Sequence, residues 1–241
     1  MSSKKVALVT GANKGIGYAI ATSLGAQGFR VGVGARDAGR LADAVERLRA
    51  DGVDAFAVPL DVTDAASVDA AVGVVREQAG RLDVLVNNAG ITGGGPQAPT
   101  TVDPDRVLAV VQTNVIGVIR VTNAMLPLLR DAPSPRIVNV SSTVGSLTRQ
   151  NDPEAQTGPI AVAYSPSKSF LNAVTVQYAK ELADTNVLIN AACPGFVATD
   201  LNGFRGTRTP EQGAIAAVRL ATLPDDGPTG AFFDEDGTVP W

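Results

Sequence analysis

The sequence predicts a single-domain α/β protein in which residues 1–241 form a doubly wound parallel sheet with helices on both faces. Short β-branched, apolar runs lack polar alternation, as expected of strands that are covered on both sides. Segments with a helical repeat of apolar residues separate these runs. A glycine-rich turn directly follows the first run, and a chain of 241 residues suffices for one large core.

In the first half of the chain, four strands alternate with three helices. The second helix is amphipathic, with the sequence AGRLADAVERLRADG, and Gly52 ends it. The fourth strand, LDVLVNNAG, is almost entirely apolar until its two asparagines. The predicted strands are residues 6–10, 30–34, 54–63 and 82–90, and the predicted helices are residues 15–27, 38–52 and 65–78.

In the second half, the alternation continues with three helices and three strands. A long helical stretch begins at Pro104, and Pro127 allows a kink near its end. The run RIVNVSS is a short β-branched strand, and NVLINAACPG is an apolar strand ended by proline and glycine. The predicted helices are residues 104–129, 166–183 and 209–223, and the predicted strands are residues 136–142, 186–195 and 230–236.

Charge and histidine content exclude several classes of function. The formal net charge is −4, with an isoelectric point of about 4.9, so we predict no nucleic-acid partner and no binding to an anionic membrane. The chain has no histidine, which excludes Ser-His-Asp hydrolysis, histidine base catalysis and the usual zinc sites. We therefore predict no bound metal.

The cysteine content and the amino-terminal segment indicate a cytoplasmic protein. Cys193 is the only cysteine, so no internal disulfide can form, which fits a reducing compartment. The basic start MSSKK and the apolar run after it look like the beginning of a signal peptide. That run is only about five residues long before Gly11, too short for a signal core or a membrane span.

The glycine-rich turn TGANKGIG contains Gly11, Gly15 and Gly17 and leads into a helix. Glycines let such a turn bend tightly and let the backbone approach a pyrophosphate, while the free N–H groups of the helix start favour an anion. The spacing is G-x-x-x-G-x-G rather than the commoner G-x-G-x-x-G. The turn favours a phosphate-binding loop, with an ordinary glycine-rich turn as the alternative.

The end of the second predicted strand indicates which dinucleotide binds. In NAD-binding proteins of this architecture, an acidic residue there binds the ribose hydroxyls. Here Ala35 is followed by Arg36, and the nearest acid, Asp37, comes one residue later. Lys14 lies inside the glycine-rich turn. Two cations near one ribose predict a 2′-phosphate, hence NADP(H); the alternative is that Arg36 is a solvated loop charge.

Seven motifs together resemble one family, and they occur in the order TGANKGIG, LDVTD, LVNNAG, TNVIG, RIVNVSS, YSPSK and CPGFVATD. The chain resembles the classical short-chain dehydrogenases/reductases over essentially its whole length. ANKGIG, GARDAGR and the tail from TPEQGA to TVPW are most similar to NADPH-dependent carbonyl reductases. The resemblance implies hydride transfer from NADPH to the ketone or aldehyde carbonyl of a small-molecule substrate.

The resemblance also implies a role for each matching residue. Tyr164 would give a proton to the carbonyl oxygen, and Ser142 would hydrogen-bond to the same oxygen. Lys168 would act beside Tyr164, and Asn114 would position water in a proton path that ends at Lys168. Cofactor contacts are implied for Gly11, Asn13, Lys14, Gly15, Ile16, Gly17, Arg36, Asp61, Val62, Asn88, Ala89, Gly90, Tyr164, Lys168, Pro194, Gly195, Phe196 and Thr199.

The motif YSPSK puts Tyr164 and Lys168 four residues apart, which places them on one face of a helix. Pro166 is compatible with a first helical turn, where the N–H groups lack intrahelical partners. A cation near a phenol favours the ionised form, so we expect Lys168 to lower the pKa of Tyr164 toward neutrality.

The catalytic serine is assigned to Ser142 rather than Ser141. In the family this serine stands three residues before a glycine, here Gly145, and Ser141 should point to the other face of its strand. Between Ser142 and Tyr164 the chain is polar and rich in proline and glycine. We expect residues 146–161 to form a surface loop at the substrate entrance.

Two other functions stay open from the sequence alone. A β-ketoacyl-type reductase that acts on a carrier protein would favour a basic patch, and FRGTR at residues 204–208 is the candidate. A catalytically silent NADP-binding redox sensor would not need all four catalytic residues. The apolar positions of helices 104–129 and 166–183 cover more than one helix face. Members of the family commonly associate through these two helices, so we predict a homodimer or homotetramer.

Overall fold

The computed structural model describes residues 4–95, 97–155 and 157–241 and contains a seven-stranded parallel sheet. The strands are β1 (Val6–Thr10), β2 (Arg30–Ala35), β3 (Ala55–Pro59), β4 (Val84–Asn87), β5 (Arg136–Val140), β6 (Leu188–Ala192) and β7 (Phe232–Phe233). Their order is β3-β2-β1-β4-β5-β6-β7. The chain therefore winds outward in both directions from β1, and the predicted doubly wound sheet is confirmed.

Helices cover both faces of the sheet. They are α1 (Gly15–Ala26), α2 (Ala38–Ala50), α3 (Ala65–Ala79), α4 (Pro104–Val111), α5 (Gly117–Arg130), α6 (Leu147–Gln150), α7 (Tyr164–Glu181) and α8 (Pro210–Ala221). One core layer lies under α1, α2 and α8 and includes the buried residues Ile20, Leu48 and Leu220. The other lies under α3, α5 and α7 and includes the buried residues Val75, Met125 and Leu182.

The long predicted helix at residues 104–129 is interrupted in a different place from the one expected. The departure from regular α-helix is a wider π-helical turn at Gln112–Ile116, between α4 and α5. Pro127 lies in the last part of α5, which stays helical to Arg130. Such π turns often occur at functional sites, and this one carries Asn114.

Several element boundaries also differ from the prediction. The helix expected from residue 166 begins at Tyr164, because Pro166 fits inside the first turn. All five strands from β3 to β7 are shorter than expected, because the ends of the predicted runs lie in the loops at the edges of the sheet. The predicted 146–161 loop is mostly exposed and contains α6; its residue 156 lies outside the described residues.

By length and composition, the described part of the chain has one helical segment that could cross a membrane, Pro104–Arg130. In the fold, this segment packs onto the sheet through Val121, Met125 and Leu129, whose side chains are completely buried. These contacts are those of a core helix in a doubly wound protein.

A chain of buried side-chain hydrogen bonds joins β4 and β5 to the helices above them. Asn87 Nδ2 donates to Thr122 Oγ1 at 3.0 Å and to Asn139 Oδ1 at 2.9 Å. Asn139 Nδ2 in turn donates to Thr175 Oγ1 at 2.9 Å. Because buried amides are costly unless they are paired, this network fixes α5 and α7 relative to the sheet.

Candidate active site

A cleft of about 380 Å³ lies at the carboxyl ends of the strands, where the winding of the sheet changes direction. The described residues that line it include all of the predicted cofactor contacts except Gly195 and Phe196. Gly195 lines a neighbouring cavity, and Phe196 is 54% exposed. The linear motifs thus meet on one surface.

The turn between β1 and α1 requires glycine, because its backbone adopts left-handed conformations and packs closely against neighbouring segments. Gly11 and Gly15 have φ angles of +64° and +56°, in the left-handed region that favours glycine. A Cβ atom on Gly17 would lie 2.4 Å from Asn88 Nδ2 and 2.5 Å from the Gly11 carbonyl oxygen. This crowding excludes alanine at position 17.

The start of α1 has backbone N–H groups to offer to a ligand. Helices α2, α3 and α4 each begin at an aspartate whose side chain accepts a backbone hydrogen bond. Within the described segment 4–95, Lys14 holds the equivalent place before α1 and makes no such bond, and the first turn carries no acid. The exposed N–H groups and the helix dipole therefore favour an anion at this point of the cleft.

The loop after β4 is fastened against the glycine-rich turn. Asn88 Nδ2 donates to the Thr10 carbonyl oxygen at 2.8 Å. Thr10 Oγ1 accepts from the backbone N–H groups of Asn88 and Ala89, each at 2.9 Å. The two walls of the cleft are thus held at a fixed separation.

The far end of the cleft is cationic. Arg36 lines it directly after Ala35, the last residue of β2. Asp37 is engaged as the cap of α2, where its carboxylate accepts from the Arg40 N–H at 2.9 Å. Hydrogen bonds from Thr63 lower the pKa of Asp61, and the Arg36 guanidinium lowers it further.

Lys14 has a partner that the sequence did not predict. Its Nζ atom lies 3.2 Å from Asp200 Oδ2, and both side chains are about half exposed. An exposed ion pair of this kind contributes only about 0–1 kcal/mol, so an anionic ligand can compete for the ammonium. The predicted contact of Lys14 with a 2′-phosphate stays a prediction.

Three of the four predicted catalytic residues come together at the start of α7. Tyr164 is the first residue of this helix, and a hydrogen bond joins its phenol to Ser142. Lys168 lies one turn later, with its Nζ atom 5.7 Å from the Tyr164 ring centroid and donating to the Val140 carbonyl oxygen at 2.8 Å. A Cβ atom on Gly145 would lie 2.7 Å from Lys168 Cβ, so glycine there allows this close packing.

The protonation of this pair differs from the prediction. Burial raises the pKa of Tyr164 to about 12, and burial lowers the pKa of Lys168 to about 8. The expectation that Lys168 lowers the pKa of Tyr164 is therefore wrong for this arrangement, since the loss of hydration of the phenolate prevails. Tyr164 consequently keeps its proton at neutral pH, which is the state that a proton donor requires.

The lowered pKa of Lys168 predicts a pH-dependent cost to stability. Between pH ~8 and ~10.5 the unfolded chain binds the lysine proton more tightly than the folded chain, so stability should rise with pH through that window. Lys168→Met removes this dependence. From pH 7 to pH 10.5, the unfolding free energy of the wild-type protein should therefore rise by about 3 kcal/mol relative to that of Lys168→Met. Urea denaturation of both proteins across this range measures it, and parallel curves would contradict it.

Asn114 acts here as a connector between two segments. It is completely buried; its Oδ1 atom accepts from the Ile91 N–H, and its Nδ2 atom donates to the Ile91 carbonyl oxygen, both at 2.9 Å. Nδ2 also donates to Ser167 Oγ at 3.1 Å. These bonds tie the loop after β4 to α7, and the predicted role of Asn114 in a water path stays a prediction.

The two serines after β5 point in different directions. Ser141 Oγ donates to Asn172 Oδ1 at 2.6 Å inside the core, whereas Ser142 contacts Tyr164. The resemblance implies that Ser142 hydrogen-bonds to the substrate oxygen, and on that role Ser142→Ala should lower kcat roughly a hundredfold, because a donor to the developing negative charge is lost. Ser141→Ala is the matched control and should lower the Tm with a smaller effect on kcat. Equal losses of kcat in both variants would contradict the assignment.

The family model described as short chain dehydrogenase matches residues 5–209. The chain belongs to the short-chain dehydrogenase family. This short-chain dehydrogenase is 35% identical over 280 residues to carbonyl reductase (NADPH) 1 of Bos taurus, which covers 100% of this chain and 99% of the relative. The predicted resemblance to this family and its carbonyl reductase branch is confirmed.

Solved structures of family members are similar over the whole fold. The NADPH-bound carbonyl reductase from chicken fatty liver superposes with a TM-score of 0.86 at 29% identity, covering 100% of both chains. A single-residue variant of actinorhodin polyketide ketoreductase with NADPH gives a TM-score of 0.83 at 32% identity, covering 97% of both chains.

Several residues that line the cleft of this short-chain dehydrogenase were not predicted from the sequence. Most of them adjoin a predicted residue in the chain, which is the signal that could have identified them. They include Leu60, Thr63, Ile91, Thr113 and Asp200; Leu201 also lines the cleft, two positions after the predicted Thr199.

Proposed function

We propose that this short-chain dehydrogenase is an NADP(H)-dependent reductase that converts the ketone or aldehyde group of a small molecule to an alcohol. The observation that carries the proposal is the contact of Tyr164 with Ser142, with Lys168 one helical turn away, beside a cleft with an uncapped helix start. A proton donor, a second hydroxyl group and a cation are the groups that carbonyl reduction needs.

The cleft fits a phosphorylated dinucleotide. The N–H groups of Gly15, Ile16 and Gly17 would hold the pyrophosphate at the start of α1, and Arg36 would hold the 2′-phosphate. Thr199, only 8% exposed and packed beside Gly15, would contact the nicotinamide end. The cofactor supplies the hydride when it is bound. The relatives with NADPH in their names support this choice of cofactor.

The residues of the chain would handle the proton and the charge. Tyr164 holds a proton at its phenolic oxygen at neutral pH and gives it to the substrate oxygen. Ser142 hydrogen-bonds to that oxygen and stabilises the negative charge that develops on it. Lys168 keeps a positive charge near the Tyr164 ring, and its ammonium group is held in place by the hydrogen bond to the Val140 carbonyl oxygen. In the oxidative direction, Tyr164 takes the proton back.

A substrate screen tests the proposed function. Purified protein is incubated with NADPH and a panel of ketones, aldehydes, quinones and carrier-bound β-ketoacyl thioesters, and the loss of NADPH absorbance is followed. We expect NADPH to be consumed when a free carbonyl compound is present and not when it is left out. NADPH binding in calorimetry without any turnover across the panel would favour the redox-sensor alternative instead.

A β-ketoacyl-type reductase is the second candidate, because a polyketide ketoreductase is among the similar structures. The basic patch that would bind an acidic carrier protein is weaker than the sequence suggests. The ion pair with Glu235 offsets the charge of Arg208, which leaves Arg205 as the one exposed cation of residues 204–208 without an acidic partner among the described residues. A free carbonyl substrate is therefore the preferred assignment.

We further propose that residues 1–241 act as one domain in the cytoplasm, as a homodimer or homotetramer. The apolar side chains Leu108 on α4 and Phe170 on α7 are 55% and 47% exposed, which supports an assembly through these helices. Light scattering of the purified protein measures the mass.

A further inference from the structure

A glutamine that is distant in the sequence caps the start of α7, the helix that carries Tyr164 and Lys168. Gln97 Oε1 accepts hydrogen bonds from the backbone N–H groups of Ala163, at 3.1 Å, and Tyr164, at 3.3 Å. Helix starts usually receive such bonds from the side chain of the N-cap residue. Here the N-cap residue is Ala163, whose side chain offers no acceptor. Gln97 therefore caps α7 from 67 positions away along the chain.

The remaining backbone N–H groups of this first turn are accounted for. Val162 N–H donates to the Gln97 carbonyl oxygen at 3.2 Å, and Ser165 N–H donates to the Ala161 carbonyl oxygen at 2.8 Å. Pro166 has no N–H group. The backbone and side chain of Gln97 together accept from three of the four N–H groups of residues 162–165. Removing the side chain would leave the N–H groups of Ala163 and Tyr164 without this acceptor.

The other half of the Gln97 side chain faces the loop after β4. Its Nε2 atom donates to the carbonyl oxygens of Thr92, at 2.6 Å, and Gly94, at 3.2 Å. Gln97 is only 5% exposed, and both of its amide atoms are fully paired. Its orientation is therefore fixed, because a flipped amide would set N–H groups against N–H groups.

We propose that Gln97 is a positioning residue that sets the place of the Tyr164 phenol relative to Ser142 by capping α7. The inference rests on the proposed function of Tyr164 as the proton donor. Tyr164 is the first residue of its helix, so a frayed first turn moves the phenol directly. Misplacement of a reacting group by about 1 Å can cost roughly a hundredfold in rate, so a capping bond can control turnover.

Gln97→Met tests the proposal, since methionine keeps the volume and removes both amide contacts. We expect kcat to fall roughly ten- to a hundredfold. The Kd for NADPH from fluorescence titration should change less than about threefold, because the hydrogen-bond partners of Gln97 lie in the loop after β4 and at the start of α7, not in the glycine-rich turn or at Arg36. Water reaching the loosened phenol should also move the basic limb of the kcat–pH profile to lower pH. Gln97→Glu keeps the acceptor for Ala163 and Tyr164, but its second oxygen can donate to the Thr92 carbonyl oxygen only when the carboxyl group is protonated. This variant should therefore regain lost kcat as the pH is lowered, whereas Gln97→Met should not.

Gln212→Met is the matched control. Gln212 Oε1 accepts from the Thr209 N–H at 2.9 Å at the start of α8, a helix without a proposed catalytic group. Gln212 is exposed, so this variant should lose less stability than Gln97→Met, and it should keep its kcat. Wild-type kcat in Gln97→Met, or equal losses of kcat and NADPH binding in all three variants, would overturn the positioning role. Tyr164→Phe in the same assay separates the positioning role of Gln97 from the proton-donor role of Tyr164, because activity in that variant would overturn the proposed function itself.

Discussion

Tyr164→Phe should lower kcat for carbonyl reduction roughly a thousandfold, the range expected when a general acid is removed. Only the phenolic oxygen is lost, so the ring still packs at the start of α7 and Lys168 keeps its bond to the Val140 carbonyl oxygen. The Kd for NADPH should therefore stay within about twofold of the wild-type value. Stopped-flow measurement of hydride transfer and fluorescence titration of NADPH give the two quantities separately.

The same helix provides a control for the effect of burying a tyrosine. Burial also raises the pKa of Tyr178 to about 12, and its hydroxyl donates to Asn123 Oδ1 at 2.6 Å. Tyr178→Phe removes a buried hydroxyl from α7 but not from the cleft, so it should lower the Tm and leave kcat nearly unchanged. If Tyr164→Phe kept more than a tenth of the wild-type activity, Tyr164 would not be the proton donor.

The features that the sequence predicted best are those encoded locally. The glycine-rich turn and the β2 end each occupy a few neighbouring residues, so spacing alone placed Gly17 and Arg36 at the cleft. The i, i+4 spacing of Tyr164 and Lys168 likewise required only a helix. Buried strands read as apolar runs because both of their faces are covered.

The features that the sequence could not predict depend on contacts between distant segments. Gln97 is one polar residue in an irregular loop, and its partners lie 66 and 67 residues away. The pairing of Lys14 with Asp200 joins the glycine-rich turn to the segment after β6. The pKa of Tyr164 was mispredicted because its sign depends on burial, which neighbouring residues in the sequence do not reveal.

Arg36→Ala should weaken NADPH binding roughly ten- to a hundredfold and leave NADH binding almost unchanged. A hydrogen bond to a charged group contributes about 1.5–3 kcal/mol, and about 1.4 kcal/mol corresponds to a tenfold change in affinity. Arg36 lines the cleft where Ala35 stands in place of a ribose-binding acid, and Asp37 is occupied at the start of α2. Arg49→Ala, in the last turn of α2, where Nε donates to the Ala55 carbonyl oxygen, is the control and should affect neither cofactor.

The second half of this prediction reverses the preference. Adding Ala35→Asp to Arg36→Ala supplies an acceptor for the ribose hydroxyls and repels a 2′-phosphate, so NADH use should rise while NADPH use falls further. The test is the measurement of kcat and KM for NADPH and NADH on the wild type, Arg36→Ala, the double variant and the control variant. If Arg36 instead extended into solvent, Arg36→Ala would change both cofactors equally or neither. A wild-type protein that prefers NADH would contradict the assignment of the 2′-phosphate site, because the single feature that distinguishes the two cofactors is the group that Arg36 is proposed to bind.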